Sequence, residues 1–161
     1  KIPLFAIQIA LMKNGELILG VSNAPLLREL MYAEKGRGAY WNDSKVSVSS
    51  IRELKKSYML FGGVEYFEKQ NLLPNLISLI KETYAHRGIG DFWSYHLLAQ
   101  GKVDIMVEAQ TKIWDIAAFK VIVEEAGGLA TDIYGNPVNV NTNSFLATNR
   151  NLHQEVLKYF S

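Results

Sequence analysis

The clearest candidate for chemistry in the sequence is an aspartate that follows a tryptophan, Trp114-Asp115, where a helical pattern begins. Its carboxylate can cap the helix, because a side-chain oxygen at that position accepts hydrogen bonds from the first free backbone N–H groups. It can also bind a hard divalent cation such as Mg²⁺, which prefers carboxylate oxygens. Spacing alone does not separate the two roles.

Other residue types that often do chemistry lack the surroundings that their chemistry needs. The histidines His86, His96 and His153 share no metal-ligand spacing, so we interpret them as surface or packed residues. Ser94 does not lie in the G-x-S-x-G setting of a serine nucleophile. The glycines at 36 and 38 precede no helix, so a turn between strands is favoured over a phosphate-binding loop. The three tryptophans are expected in the core.

Composition excludes several classes of function. The 161 residues include 17 Lys and Arg against 16 Asp and Glu, with no basic stripe, so we expect no nucleic-acid partner. No apolar run approaches the roughly 18 residues that a membrane span needs. The absence of cysteine excludes disulfides and thiolate metal sites, and it is compatible with a cytoplasmic protein. The start lacks Met and enters a strand pattern at once, so we expect a longer natural protein.

The first fifty residues are predicted to form an antiparallel meander. Strand patterns cover residues 5–11, 16–21, 29–34 and 46–48, and Asn14-Gly15 is a strong hairpin signal between the first two. Few helical signals occur in this stretch. We therefore expect that something else covers the sheet.

After Ser50 the pattern alternates between strands and helices. The predicted strands are residues 58–61, 103–108, 129–133 and 145–148. The predicted helices are residues 72–84, 92–99 and 115–126, followed by a final helix capped by Asn149. This alternation predicts a layered α/β unit.

Two segments carry a resemblance to a known family. Residues 114–118, Trp-Asp-Ile-Ala-Ala, with Glu-Ala-Gly-Gly at 125–128, resemble the C-terminal signature of the inositol monophosphatase family. Residues 35–39 with Asn42 resemble that family's Gly-x-Gly-Ala-x-x-Asn turn, and the likeness runs from about residue 3 to 160. It implies an α/β fold, the C-terminal part of a layered αβαβα sandwich. Residues 1–57 would be the rear half of the first domain's antiparallel sheet, and residues 58–161 a smaller α/β domain.

The resemblance implies Mg²⁺-dependent hydrolysis of a small phosphate monoester, with up to three metal ions activating water and neutralising the phosphate. Asp115 would be a metal ligand, and Glu108 would touch the leaving group; from its position alone, Glu108 is equally a surface residue at a strand end. The family's other ligands, a Glu and an Asp-Pro-(Ile/Leu)-Asp-Gly-Thr motif, precede the matching region, and these residues contain no Asp-Pro or Asp-Gly. We therefore expect this chain alone to bind Mg²⁺ poorly and to be inactive. The family also implies a homodimer.

A third segment narrows the choice of substrate. Arg87-x-x-Gly90-Asp91-Phe92-x-x-Tyr95 is similar to the histidinol-phosphate phosphatase branch of the family. Histidinol phosphate carries an ammonium and an imidazole group, so Glu108 and Asp91 are expected to contact this cationic leaving group. Arg87 would pair with Asp91 or lie beside the substrate. The alternative is a structural Arg87–Asp91 ion pair in which Asp91 caps the following helix.

Two other functions stay open. The same chemistry could act on inositol 1-phosphate or another sugar phosphate, which are neutral apart from the phosphate. A non-catalytic member could bind a phosphorylated ligand without turnover.

Overall fold

The computed structural model describes residues 4–161, which form two five-stranded sheets and five α-helices. The strands are β1 (Ile7–Lys13), β2 (Glu16–Ala24), β3 (Glu29–Glu34), β4 (Ala39–Trp41), β5 (Ser44–Val46), β6 (Tyr58–Phe61), β7 (Ala85–Arg87), β8 (Ile105–Glu108), β9 (Leu129–Thr131) and β10 (Phe145–Thr148). The helices are α1 (Val64–Lys69), α2 (Leu73–Glu82), α3 (Phe92–Ala99), α4 (Ile113–Glu125) and α5 (His153–Leu157). None of these helices has the length and apolar character needed to cross a bilayer.

The first sheet is the predicted antiparallel meander, with strands β1 to β5 side by side in chain order. Asn14 and Gly15 both have positive φ, which confirms the hairpin turn between β1 and β2. One strand was missed: β4 lies between residues 34 and 46, where no strand was predicted, and a turn joins it to β5. Asn42 and Asp43 alone make the turn, because both accept positive φ, and β5 therefore begins at Ser44.

The second sheet has the order β7-β6-β8-β10-β9. β6 runs parallel to β7 and β8, whereas β10 runs antiparallel to β8 and β9. Sequence analysis missed β7 and α1, which have three and six residues and are too short to show a period. The final helix begins at His153, and Asn149 accepts a hydrogen bond from Leu152 N–H one turn before it.

The layers alternate sheet, helices, sheet, helices. Side chains on successive residues of a strand point to opposite faces. In β8, Met106 therefore faces a core shared with α3, α4 and the first sheet, while Ile105 and Val107 face a second core with α1, α2 and α5. The layered α/β fold is confirmed, with four of the five layers of the expected sandwich. Division into domains at residue 57 stays a prediction.

Helix α4 covers the first sheet at very close range. A Cβ atom added to Gly20 of β2 would lie 2.2 Å from the carbonyl oxygen of Ala118, so only glycine fits there. The buried alanines at 117 and 118 give the helix the small surface that this approach needs. The Ala-Ala pair of the sequence signature is therefore explained by packing.

The opposite face of the first sheet is apolar and exposed. Ile7, Ile9 and Leu11 alternate along β1 and have exposed fractions of 54%, 56% and 51%. Leu30 of β3 is also exposed. The first sheet therefore presents an exposed apolar face on the side away from α4.

Helix α3 is fastened to the first sheet by a buried chain of hydrogen bonds. The amide of Gln8 donates to Ser22 Oγ (3.0 Å), Ser22 Oγ lies 2.7 Å from His96 Nε2, and His96 Nδ1 lies 2.7 Å from Glu29 Oε2. Burial lowers the pKa of His96 more than Glu29 raises it, so the ring is neutral. A neutral ring that donates to Glu29 and accepts from Ser22 satisfies every one of these bonds.

Candidate active site

A cavity of about 580 Å³ opens where the first sheet, α3, α4 and the end of β8 meet. Its wall includes three carboxylates that sequence analysis singled out, those of Asp91, Glu108 and Asp115. They come from separate elements, since Asp91 precedes α3, Glu108 ends β8 and Asp115 lies in the first turn of α4. The tertiary fold therefore brings together three of the four predicted site residues.

The Glu108 carboxylate is held at both oxygens. The Tyr95 hydroxyl donates to Oε2 at 2.9 Å, and the backbone N–H of Asp91 donates to Oε1 at 3.3 Å. Gly62 makes room for it, because a Cβ added there would lie only 3.0 Å from Glu108 Cγ.

Burial raises the pKa of Glu108, and the nearby charges of Asp115 and Asp91 raise it further, while the hydrogen bonds from Tyr95 and from Asp91 N–H lower it. The pKa of Tyr95 lies well above its usual value, mainly because the ring is buried and then because Glu108 is close. Tyr95 therefore stays a neutral donor.

Asp91 has an unusual backbone. Its φ is +74° and its ψ is 179°, a region that is essentially restricted to glycine. Its Oδ1 accepts a hydrogen bond from Phe92 N–H at 2.6 Å and so caps α3. The capping role considered from the sequence is thus present, and the same side chain also lines the cavity. Strained residues of this kind cluster at functional sites.

Arg87 is the predicted site residue that the fold does not bring to the cavity wall. It lies at the end of the edge strand β7, where its Nη1 donates to the carbonyl of His86 at 2.6 Å. Its guanidinium lies 5.8 Å from the centre of the Tyr58 ring. The ion pairs found within residues 4–161 do not include one between Arg87 and Asp91. Its contact with substrate stays a prediction.

The sequence suggested that Asp115 caps α4 from just before the helix, but the structure places Asp115 inside the first helical turn. The helix already begins at Ile113, and the Asp115 Oδ2 accepts a hydrogen bond from Lys112 N–H at 3.0 Å.

The prediction that the tryptophans lie in the core is wrong for Trp114, which is 69% exposed. The buried face of α4 begins at Ile116, so Trp114 lies on the outer side of the first turn.

Asp115 is the residue on the cavity wall that the sequence predicted as a metal ligand. Asp115 is an exposed carboxylate on the cavity wall and fits the role of a single Mg²⁺ ligand. Across residues 4–161, no three His, Cys, Asp or Glu side chains are grouped so that they could hold one metal ion. The described residues therefore do not form a complete metal site.

Sequence reasoning missed other residues of the cavity wall. Tyr66 comes from the unpredicted helix α1, and Gln8 comes from the first sheet. Thr111 is only 6% exposed, and its hydroxyl has no hydrogen-bond partner among the described residues. Tyr95 could have been found, because it follows Asp91 by four residues, about one helical turn.

The sequence profile of the inositol monophosphatase family matches residues 1–161, so the chain belongs to this family. It is 37% identical to a histidinol-phosphatase of Mycobacterium tuberculosis, over 97% of this chain and 62% of that protein. It is 35% identical to a fructose-1,6-bisphosphatase/inositol-1-monophosphatase of Thermotoga maritima, over 98% of this chain and 60% of that protein. A solved inositol monophosphatase from Zymomonas mobilis has a TM-score of 0.91 at 27% identity, covering 96% of this chain and 62% of that one. The chain thus spans about 60% of the length of these relatives.

Proposed function

We propose that this chain belongs to a Mg²⁺-dependent phosphate monoester hydrolase that acts on histidinol phosphate, and that it supplies the leaving-group end of the site. The observation that carries the proposal is the grouping of Asp91, Glu108 and Asp115 around one cavity. None of the ion pairs found within residues 4–161 involves these three carboxylates. Such a cavity favours cationic ligands, and a metal ion and a cationic leaving group both supply positive charge.

The charge of the leaving group separates the candidate substrates. Histidinol phosphate has an ammonium and an imidazole group, whereas inositol phosphate has only hydroxyl groups beyond the phosphate. The Glu108 and Asp91 carboxylates can accept hydrogen bonds from a hydroxyl as well as from an ammonium group, but only the cationic group adds an attraction between opposite charges. Glu108 and Asp91 therefore stabilise a bound cation more than a bound polyol.

Asp115 would supply one carboxylate oxygen to Mg²⁺, which usually binds proteins through one or two carboxylates together with phosphate and water. When bound, the metal would activate water and neutralise the phosphate. Glu108 and Asp91 would orient the leaving group at the opposite end of the cavity. The cavity takes residues from both predicted domains, since Gln8 lies before residue 57 and the carboxylates lie after it. A homodimer and a cytoplasmic location are also proposed.

The test is phosphate release by the full-length protein with Mg²⁺, from histidinol phosphate and inositol 1-phosphate measured side by side. We expect a preference for histidinol phosphate. Asp91→Asn keeps an oxygen for capping Phe92 N–H, so it should lower kcat/KM about tenfold more for histidinol phosphate than for inositol 1-phosphate. Asp43→Asn is the matched control, because Asp43 also has positive φ and lies in the β4–β5 turn, outside the cavity wall.

Each other outcome has a distinct meaning. Equal losses on the two esters would leave Asp91 as a helix cap only. A preference for inositol 1-phosphate would make a neutral polyol phosphate the substrate, in keeping with the names of several relatives. Release from neither ester would favour a non-catalytic member.

A further inference from the structure

One helix holds the Glu108 carboxylate from both sides. The N–H of Asp91, just before α3, reaches one oxygen, and the hydroxyl of Tyr95, one turn later, reaches the other. Residues separated by one helical turn lie on the same face of a helix. The position of α3 therefore sets the orientation of the carboxylate in the cavity.

Tyr95 is itself fixed in place. It is 1% exposed, and its ring stacks on Phe119 of α4 with the centroids 4.6 Å apart and the planes 22° from parallel. Phe145 of β10 meets the same ring edge-on at 5.4 Å. The ring contacts fix where its hydroxyl lies, and within the described residues that hydroxyl donates to Glu108 alone.

We infer that Tyr95 is a positioning residue that determines specificity: acting through Glu108, its hydroxyl orients that carboxylate toward a cationic leaving group. The identity of the ester rests on the proposed function, whereas the effect of Tyr95 on Glu108 does not. The same hydrogen bond favours the charged form of Glu108, so its loss should weaken the attraction for a cation more than a hydrogen bond to a polyol.

The acidic groups around Glu108 disfavour its charged form, which the Tyr95 hydroxyl stabilises. Asp91 of the α3 cap and Asp115 of α4 are both acidic and disfavour a charged Glu108. The neighbouring residue on β10 is Phe145, which carries no charge. Among described residues, Tyr95 O–H and Asp91 N–H are thus the donors that stabilise the Glu108 charge.

The experiment is Tyr95→Phe in the full-length protein, because phenylalanine keeps the stacked ring and removes only the hydroxyl. The first readout is the titration of the Glu108 carboxyl by ¹³C NMR without metal, assigned by comparison with Glu108→Gln. We expect Glu108 to titrate at a higher pH in Tyr95→Phe than in the wild type, because a donor to the charged form is lost. This readout needs no activity.

The second readout is kinetic. For histidinol phosphate, KM should rise about tenfold in Tyr95→Phe, and the rise should be larger at low pH than at high pH, because Glu108 of the variant holds its proton up to a higher pH. For inositol 1-phosphate the change in KM should stay below about twofold. Adding Tyr95→Phe to Glu108→Gln should cause no further loss, because the hydroxyl acts through that carboxylate. Tyr40→Phe, in the first sheet and outside the cavity wall, is the matched control.

An unchanged Glu108 titration in Tyr95→Phe would overturn the inference, and so would an equal rise in KM for both esters. If the wild type releases phosphate from neither ester, the proposed function fails, and the NMR titration still decides whether Tyr95 controls the Glu108 charge.

Discussion

Two acidic residues flank strand β8 and serve different purposes. Asp104, just before the strand, is 5% exposed, and both of its oxygens accept hydrogen bonds inside the protein. The hydroxyl of Ser49 donates to Oδ1, and the N–H of Tyr58 donates to Oδ2 at 2.7 Å. Asn149 in turn donates to Ser49 Oγ at 2.9 Å. Asp104 therefore links the segment between the two sheets, which contains Ser49, to the start of β6 and to Asn149 after β10.

Glu108, at the other end of the strand, also accepts two hydrogen bonds, but both come from α3 and its cap. Its carboxylate borders the open cavity beside Asp91 and Asp115. The number of hydrogen bonds is thus the same at both ends. The difference lies in what the hydrogen bonds hold together: those of Asp104 join separate parts of the chain, whereas those of Glu108 fix its carboxylate at the edge of the open cavity.

The largest expected effect comes from removing Asp104. Asp104→Ala deletes two hydrogen bonds to a buried carboxylate and should lower the free energy of unfolding by about 4 kcal/mol. Glu108→Gln should change it by less than about 1 kcal/mol at pH 7, because burial already disfavours the charged form. Urea denaturation measures both variants, and similar losses in the two would contradict the distinction between these acids.

The buried base His153 extends the comparison to the pH dependence of stability. His153 is 1% exposed between the hydroxyls of Thr148 and Thr131, each 3.0 Å from a ring nitrogen. Burial, with the charge of Arg150, lowers the pKa of His153 to about 4. The contribution of the buried, neutral His153 to the free energy of unfolding is therefore fully present above about pH 6.5. It is lost as the pH falls toward 4, because in that range the unfolded chain binds a proton that the folded chain does not.

The loss amounts to about 3 kcal/mol in the free energy of unfolding. Denaturation between pH 7 and 4 measures it, and His153→Gln should flatten the curve over this range. A wild-type curve no steeper than that of the variant would show that His153 is not buried as a neutral base. His86→Gln is the control, since His86 is exposed.

The smallest effect concerns the strained residue of the cavity. Asp91→Gly relieves a backbone conformation that only glycine adopts freely, so we expect a gain of about 1 kcal/mol in the free energy of unfolding. The lost cap offsets only a few tenths of this. Thermal unfolding tests it, and a lower midpoint than the wild type would mean that the cap outweighs the strain. If Asp91→Gly gains stability but loses selectivity between histidinol phosphate and inositol 1-phosphate, Asp91 serves ligand binding at the expense of stability.

Much of the fold could be predicted from the sequence, because the relevant signals are local. Asn14-Gly15 indicated a hairpin, since both residues tolerate positive φ. Period-two and helical patterns placed the longer elements, and the shorter ones, β7 and α1, escaped because too few residues carry a period. His96 and His153 were interpreted as surface or packed residues, and the structure shows that both are buried, but their partners had no local signal.

The sequence by itself determined the family and named three residues, because Asp91 and Asp115 lie in recognisable motifs and the family resemblance assigns Glu108. Only the tertiary structure decided which of the four predicted residues share a cavity, since Arg87 lies on an edge strand and its contacts lead away from the wall. It also decided what Tyr95 does. The distance from that hydroxyl to Glu108 depends on how α3 packs against β8 and α4, which no spacing along the chain encodes.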